Sequence, residues 1–269
     1  MKPIILFRKS LAEEGELEIC RKYFTTIEYR SEISDYYTDY PLIIPRYSAL
    51  PYYKELEEDV KYLGGTLINS YKQHKWIANF EWYEPLQEFT PQSWTDDTFF
   101  SAPNNQEYIV KGHTNSRKYD WNTMMYAPNK KKALKVAGEL IKDSMIGSQG
   151  IVYRKYEPLK CYDNGINNLP FTDEWRFFFY KDQLLNYGYY WSISDYIPEK
   201  IDPKLIEFAQ GLATNIVQDY VNFFVLDCAI TKDDKPILIE VNCGTMSGLS
   251  ECRPEELYGN LKRILDCGV

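Results

Sequence analysis

The chain has few histidines, no paired-cysteine motif and no long apolar run, and each shortage argues against a class of protein. Only two histidines occur in 269 residues, and the six cysteines form no CxxC pair. This disfavours a zinc site, because zinc is held mainly by these residues. No apolar run approaches the roughly eighteen residues of a membrane-spanning helix. The N-terminus MKPIILFRKS is too short an apolar run for a signal peptide and predicts a first strand. We therefore expect a cytoplasmic protein with reduced thiols.

Positive charge is also scarce relative to negative charge. The 31 lysines and arginines are outnumbered by 39 aspartates and glutamates, which gives a net charge of −8. Proteins that bind nucleic acid usually present a basic surface, so this balance disfavours a nucleic-acid partner. Hydrophobic residues make up 44% of the chain. A chain of this length can bury a sizeable core, in one large lobe or in two to three small ones.

The most informative segment that is present is FFVLDCAITKDDKPILIEVN, residues 223–242, which reads as a β-hairpin. With the turn centred on residues 233–234, Asp227 lies directly opposite Glu240, and Asn242 shares their face. The alternation of side chains places six apolar residues on the other face: Leu226, Cys228, Ile230, Ile237, Ile239 and Val241.

Two carboxylates in this register lie only about 5 Å apart at Cβ and repel each other. A hard divalent cation would compensate their charge, and carboxylate and amide oxygens are suitable ligands for Mg²⁺. The alternative is a solvated hairpin whose acidic pair has no function.

The remaining pattern alternates between short strands and amphipathic segments. Helices are predicted at residues 11–23, 52–63, 72–82, 130–143, 202–220 and 254–265. Strands are predicted at residues 3–7, near 26 and 42, and at 108–111, 150–156, 174–180 and 183–191. Residues 89–101 are predicted to be a connector into a second unit.

Three motifs follow one another in the chain: IVKGHTNSRK at 109–118, EWRFFF at 174–179 and IEVN at 239–242. Their order resembles the ATP-grasp superfamily. The phrases IVYRKYEPL and EWRFF are similar to a divergent clade that contains the eukaryotic initiation-factor assembly chaperone and phage and bacterial proteins of unknown substrate. The resemblance runs from about Trp76 to the C-terminus.

The resemblance implies an α+β fold of the ATP-grasp type, in which two α+β lobes clamp a nucleotide. The expected division is a small α/β N-terminal lobe at residues 1–75, a first ATP-grasp lobe at 76–155, and a second lobe with the metal-binding hairpin at 156–269.

The resemblance also implies a role for individual residues. Lys111 and Arg176 would be catalytic, and Asp227, Glu240 and Asn242 would hold Mg²⁺. The residues expected to bind ATP are Lys111, Lys118, Arg154, Lys155, Tyr156 and Arg176. For the two arginines structural ion pairing is the alternative, and Glu174 is then the candidate partner of Arg176, because the two share a strand face.

The function implied is an ATP- and Mg²⁺-dependent carboxylate–amine ligase that acts through an acyl phosphate. Its substrates would be carboxylates and amines of small molecules, peptides or proteins. Two alternatives stay open, namely an ATP-binding assembly module that forms no bond and a kinase that uses the same clamp. Residues 187–196, which are rich in tyrosine, either line the acceptor pocket or serve in packing.

Overall fold

Three four-stranded sheets and one two-stranded sheet organise the chain in the computed structural model, which describes residues 3–8, 14–39 and 41–267. Helices and sheets are mixed along the chain, as expected for an α+β fold. Within those residues, no helix combines the length and the apolar character needed to cross a bilayer.

The N-terminal sheet is parallel, with strand order β2-β1-β3-β4. Its strands are β1 (Pro3–Leu6), β2 (Thr25–Ile27), β3 (Leu42–Pro45) and β4 (Thr66–Leu67). Its helices are α1 (Glu14–Cys20) and α2 (Tyr53–Tyr62). Residues 11–13 of the first predicted helix lie outside the described part of the chain.

The predicted helix at 72–82 is wrong at its C-terminal end. Helix α3 (Tyr71–Ala78) begins with a capping box between Ser70 and Gln73. It ends before Phe80, whose φ of 63° is incompatible with a right-handed helix. A separate short helix follows, α4 (Tyr83–Leu86).

The second sheet is antiparallel and has the order β5-β8-β6-β7. Helix α5 (Lys130–Leu140) contacts β6 and β7 and contributes to the core of this unit. The strands are β5 (Ser93–Thr95), β6 (Tyr108–Gly112), β7 (Tyr126–Ala127) and β8 (Ile151–Lys155). The stretch that was predicted to be a connector contains two short elements, namely β5 and a 3-10 helix at Phe99–Ser101.

The central sheet has the order β12-β11-β13-β14, and a small hairpin, β9 (Cys161–Asn164) with β10 (Pro170–Thr172), precedes it. Helix α6 (Pro203–Asn215) packs on one face of β13 and α7 (Pro254–Asp266) contributes to the core on the other, which explains why every residue of β13 is buried. The strands of this sheet are β11 (Glu174–Tyr180), β12 (Gln183–Tyr189), β13 (Phe223–Ile230) and β14 (Pro236–Cys243).

The predicted register of Asp227 opposite Glu240 is confirmed, although two irregularities contribute to it. Thr231 N–H bonds to the carbonyl of Lys235, so the loop holds three residues instead of two. This displaces the register by one residue, and a bulge at Ile239 restores it before Glu240.

The bulge also changes which residues of β14 face the core. Leu238 is fully buried in the core cluster, whereas Ile237 and Ile239 are only half-buried. The prediction that Ile237 and Ile239 belong to the apolar core face is therefore wrong. It holds for the other four residues of that set, Leu226, Cys228, Ile230 and Val241.

Asn69 joins the N-terminal unit to the central sheet. Its side chain is fully buried and bonds to both backbone groups of Phe223, accepting from N–H at 2.8 Å and donating to the carbonyl at 2.6 Å. Asn222 adds a bond to the carbonyl of Ile68 at 2.8 Å. These bonds satisfy the polar groups at the point where β13 begins.

We predict that Asn69→Ala destabilises the fold by about 1–3 kcal/mol, because it leaves the buried N–H of Phe223 without a partner. It also removes one of the two bonds to the Phe223 carbonyl, which keeps a bond from the N–H of Gly244 at 3.1 Å. The free energy of unfolding in urea measures the change. Asn79→Ala is the matched control, since Asn79 makes only an exposed side-chain bond to Glu81, and its effect should stay within about 0.5 kcal/mol. Equal effects for the two variants would contradict this role for Asn69.

Candidate functional site

Two adjoining cavities lie where β6 and β8 of the second sheet meet β11 and β14 of the central sheet. The first cavity has a volume of about 360 Å³ and the second of about 300 Å³. Both are lined by Lys111, Ser116, Tyr190 and Glu240. All the residues that the sequence predicted to bind ATP line the first cavity, the second or both: Lys111, Lys118, Arg154, Lys155, Tyr156 and Arg176.

Asp227 is paired with Arg176 across the centre of the sheet. Asp227 is 1% exposed, and its two carboxylate oxygens accept bonds from Nε and Nη2 of Arg176, each at 2.9 Å. The third bond of the guanidinium goes to the carbonyl of Gly248 at 2.7 Å, and Asn242 donates to Asp227 at 3.0 Å. The partner of Arg176 is therefore Asp227 and not Glu174, which was the partner expected for a purely local ion pair.

Glu240 is paired with a cation from the other sheet. Lys111, only 6% exposed, donates a hydrogen bond from Nζ to Oε1 of Glu240. We expected a divalent cation to compensate the repulsion between Asp227 and Glu240. In the structure Arg176 and Lys111 already offset it. Each of these two carboxylates has its own basic partner.

Glu174 is a third carboxyl group at the site. From the sequence it was expected only as an alternative partner for Arg176. It is 6% exposed and lines the first cavity. Burial raises its pKa to about 8, and the charges of Asp227 and Glu240 add to this, while Lys118 and Arg176 oppose it. Glu174 is therefore protonated at neutral pH. Its position two residues before Arg176 on a buried strand was the available signal.

Tyr190 lies between two cations at the border of the cavities. Lys118 Nζ is 4.5 Å and the guanidinium carbon of Arg176 is 4.9 Å from its ring centroid. Lys118 also donates to the Tyr190 hydroxyl at 3.1 Å. Burial lowers the pKa of Lys118. The sequence left open whether the tyrosine-rich stretch at 187–196 lines a pocket or serves in packing. Tyr190 of this stretch lines both cavities.

Arg154 has one unsatisfied group at the first cavity. Its Nε donates to Ser93 Oγ at 3.0 Å and its Nη1 to the carbonyl of Ile239, the bulged residue. Its Nη2 is buried and has no partner within the described residues. A buried guanidinium with a free N–H pair is suited to a phosphate oxygen.

Lys155 and Tyr156 use their backbone donors inside the protein. The N–H of Lys155 donates to the carbonyl of Gln92 at 2.8 Å, and the N–H of Tyr156 donates to the carbonyl of Glu107 at 2.9 Å. The Lys155 side chain is exposed and pairs with Glu157 at 3.4 Å. These two N–H groups are therefore not free to bind an adenine ring.

The lining near Tyr156 is suited to a flat ring. Tyr156 meets Trp121 and Tyr126 edge to face, with centroids 6.3 and 5.5 Å away. Ile109 and Ile239 also line this cavity. The first cavity therefore combines an apolar part with the cationic groups of Lys111 and Arg154.

The donor set of the hairpin fits Mg²⁺. Within the described residues, no group of three or more His, Cys, Asp or Glu side chains is placed to hold a metal ion. The predicted set has two carboxylates and one amide, from Asp227, Glu240 and Asn242, on neighbouring strands and facing the same side. Magnesium is commonly bound by one or two carboxylates together with substrate phosphates and water, so two carboxylates are sufficient.

Comparison with solved structures shows the fold. The chain is similar to D-cycloserine synthetase DcsG, at 11% identity and a TM-score of 0.64, over 98% of this chain and 100% of that one. A RimK domain ATP-grasp protein from Sphaerobacter thermophilus gives 11% identity and a TM-score of 0.61, over 97% and 98%. The chain is also similar to the macrocyclase MdnC of Microcystis aeruginosa, solved with its precursor peptide MdnA. The identity is 12% and the TM-score 0.58, over 99% of this chain and 100% of that one.

The family is shown by the sequence itself. No curated protein matches the chain. Residues 101–261, more than half of the chain, match the family model described as ATP-grasp domain, R2K clade family 3. Together with the shared fold, this match confirms both the expected resemblance and the expected fold class: the chain belongs to the ATP-grasp superfamily, in R2K clade family 3.

Proposed function

We propose that the chain is an ATP- and Mg²⁺-dependent carboxylate–amine ligase that acts through an acyl phosphate. Enzymes of the ATP-grasp family use ATP, and Mg²⁺ is typical of them. The observation that carries the proposal is the convergence of two buried ion pairs, Lys111 with Glu240 and Arg176 with Asp227, where two cavities adjoin.

In this proposal the first cavity holds the nucleotide. The adenine ring occupies the apolar part near Tyr156, where aromatic and aliphatic side chains provide flat contacts. The phosphates lie toward Lys111, Lys118 and Arg154, and the unsatisfied Nη2 of Arg154 supplies a donor for them. The protonated Glu174 contributes no negative charge at neutral pH, which avoids repulsion of the triphosphate.

The acidic face of the hairpin holds the metal that accompanies the nucleotide. Asp227, Glu240 and Asn242 are the proposed ligands, and the metal supplies charge neutralisation at the phosphates. Lys111 and Arg176, which balance the two carboxylates in the structure, are then available to phosphate oxygens. The two cations thus stabilise the negative charge that moves during phosphoryl transfer.

The proposed reaction has two steps. A carboxylate oxygen of one substrate attacks the γ-phosphorus of ATP, the bond to the β-phosphate oxygen breaks, and ADP leaves. An amine then attacks the acyl carbon, phosphate leaves with the bonding electron pair, and the amine loses a proton to solvent. The protein contributes positioning and electrostatic stabilisation to both steps.

The substrate class proposed is a peptide, protein or small molecule that carries a carboxylate or an amine. The similarity to a macrocyclase solved with its precursor peptide supports a peptide, and the similarity to a D-cycloserine synthetase supports a small molecule. The division into lobes at 1–75, 76–155 and 156–269 remains a proposal. In this division the first cavity lies between the second and third segments, and residues of all three segments line the second cavity.

Release of ADP and phosphate from Mg²⁺·ATP in the presence of carboxylate and amine donors tests the proposed function. We predict that Glu240→Gln lowers this turnover by at least about 100-fold, because it removes one metal ligand and the partner of Lys111. Glu240 is preferred to Asp227 for this test, because the Glu240 side chain is 14% exposed and that of Asp227 only 1%. Replacing Asp227 would therefore carry the larger cost in stability, about 3–5 kcal/mol.

Asp233→Asn is the matched control, because Asp233 is exposed at the tip of the same hairpin, and its turnover should equal that of the unmodified chain. Full turnover in Glu240→Gln would refute the assignment. Tight nucleotide binding without product release in any donor combination would refute the ligase and support a binding module.

Nucleotide affinity should depend on the protonation of Glu174. Its pKa of about 8 means that it is neutral below that pH and gains a negative charge above it, so binding of ATP without added Mg²⁺ should weaken as the pH rises from 7 to 9. The other charged groups that act on it are Asp227, Lys118, Arg176 and Glu240. Titration calorimetry across this range measures the effect.

Glu174→Gln should abolish this pH dependence, since its side chain has a similar shape but stays neutral. A decline of the same size in the variant would assign the pH dependence to loss of the proton from Lys118, whose pKa is also lowered, and would contradict the role of Glu174.

A further inference from the structure

His74 is a buried residue whose ring has no hydrogen-bond partner in the described part of the protein. It lies in α3, is 4% exposed, and stacks on Tyr53 with ring centroids 4.1 Å apart and planes at 8°. Its Nδ1 is buried and unpaired. A neutral imidazole carries one N–H donor and one acceptor nitrogen, and buried polar atoms are nearly always paired. An unpaired ring in this position therefore calls for an explanation.

The ring lines the second cavity, next to the proposed reaction centre. Helix α3 packs beside β14, the strand that carries Glu240 and Asn242. One part of the cavity lining is polar and includes Lys111 and Arg176. The residues from the N-terminal part of the chain that share this lining with His74 are mostly apolar: Ser48, Leu50, Ile77 and Ala78.

The imidazole is uncharged under physiological conditions. Burial lowers the pKa of His74 to about 4, because removal from water disfavours the charged form. A neutral imidazole forms no ion pair with a carboxylate. It is suited to an uncharged group that donates to one ring nitrogen or accepts from the other.

We infer that His74 is a specificity residue that binds a hydroxyl or carboxamide group on the carboxylate substrate. This inference rests on the proposed function, and it places the reacting carboxylate in the second cavity, beside the phosphate oxygens that Lys111 and Arg176 bind. With a volume of about 300 Å³, the cavity accommodates an amino acid or the C-terminal residue of a peptide. The side chains with this chemistry are those of serine, threonine, asparagine and glutamine.

Imidazole ¹⁵N spectra test the inference directly, because the chain contains only two histidines. The second, His113, is stacked on Phe80 and serves as an internal reference. The protein is saturated with Mg²⁺ and a non-hydrolysable ATP analogue. It is then titrated with serine, threonine, asparagine and glutamine, with their apolar counterparts alanine, valine, leucine and methionine, and with dipeptides that end in each.

The expected result is a shift of the His74 ring nitrogens with at least one polar probe, while the His113 signals stay in place. That probe should bind at least about tenfold more tightly than its apolar counterpart, since one hydrogen bond distinguishes them. No shift of His74 with any probe, while the analogue binds, overturns this inference alone. Failure of the analogue to bind overturns the proposed function and this inference with it.

Two variants separate recognition from packing. His74→Phe keeps an aromatic ring against Tyr53 but has no nitrogen, so it should lose the preference for the polar probe. His74→Asn places an amide near the position of Nδ1 and should retain part of the preference. Both should bind the ATP analogue as the unmodified chain does, which also reports that they are folded. An unchanged preference for the polar probe in His74→Phe would overturn the inference.

Discussion

The like-charge pair of Asp227 and Glu240 is the constraint on which the rest of the site depends. Adjacent strands hold the two carboxylates opposite each other, and like charges in this register destabilise a sheet unless they are compensated. The chain compensates them with Arg176 from the neighbouring strand and Lys111 from another sheet. The ion pair of Lys111 therefore joins the two sheets at the border between the cavities.

Local pattern was sufficient to predict the hairpin and its acidic face, because strand periodicity and a turn signal are short-range features. The predicted pairing of Asp227 with Glu240 is nevertheless correct for a reason that the sequence did not show. The three-residue loop displaces the register by one residue and the bulge at Ile239 restores it. On the apolar face of β14 the displacement is not corrected. Leu238 therefore faces the core, where the sequence predicted Ile237 and Ile239.

The features that the sequence did not predict depend on contacts between residues that are far apart in the chain. Nothing near Asn69 indicates that it binds Phe223, and nothing near His74 indicates that its ring lines a cavity with Glu240. Strand β5 was missed because its three residues give too little periodicity to recognise. The raised pKa of Glu174 likewise follows from burial and from neighbours on other strands.

A crystal structure with Mg²⁺ and a non-hydrolysable ATP analogue would show whether the acidic hairpin is a metal site. We expect a metal ion bound by Asp227, Glu240 and Asn242, with phosphate oxygens in contact with Lys111 and Arg176. A nucleotide bound elsewhere, with both ion pairs intact and no metal on the hairpin, would contradict this expectation.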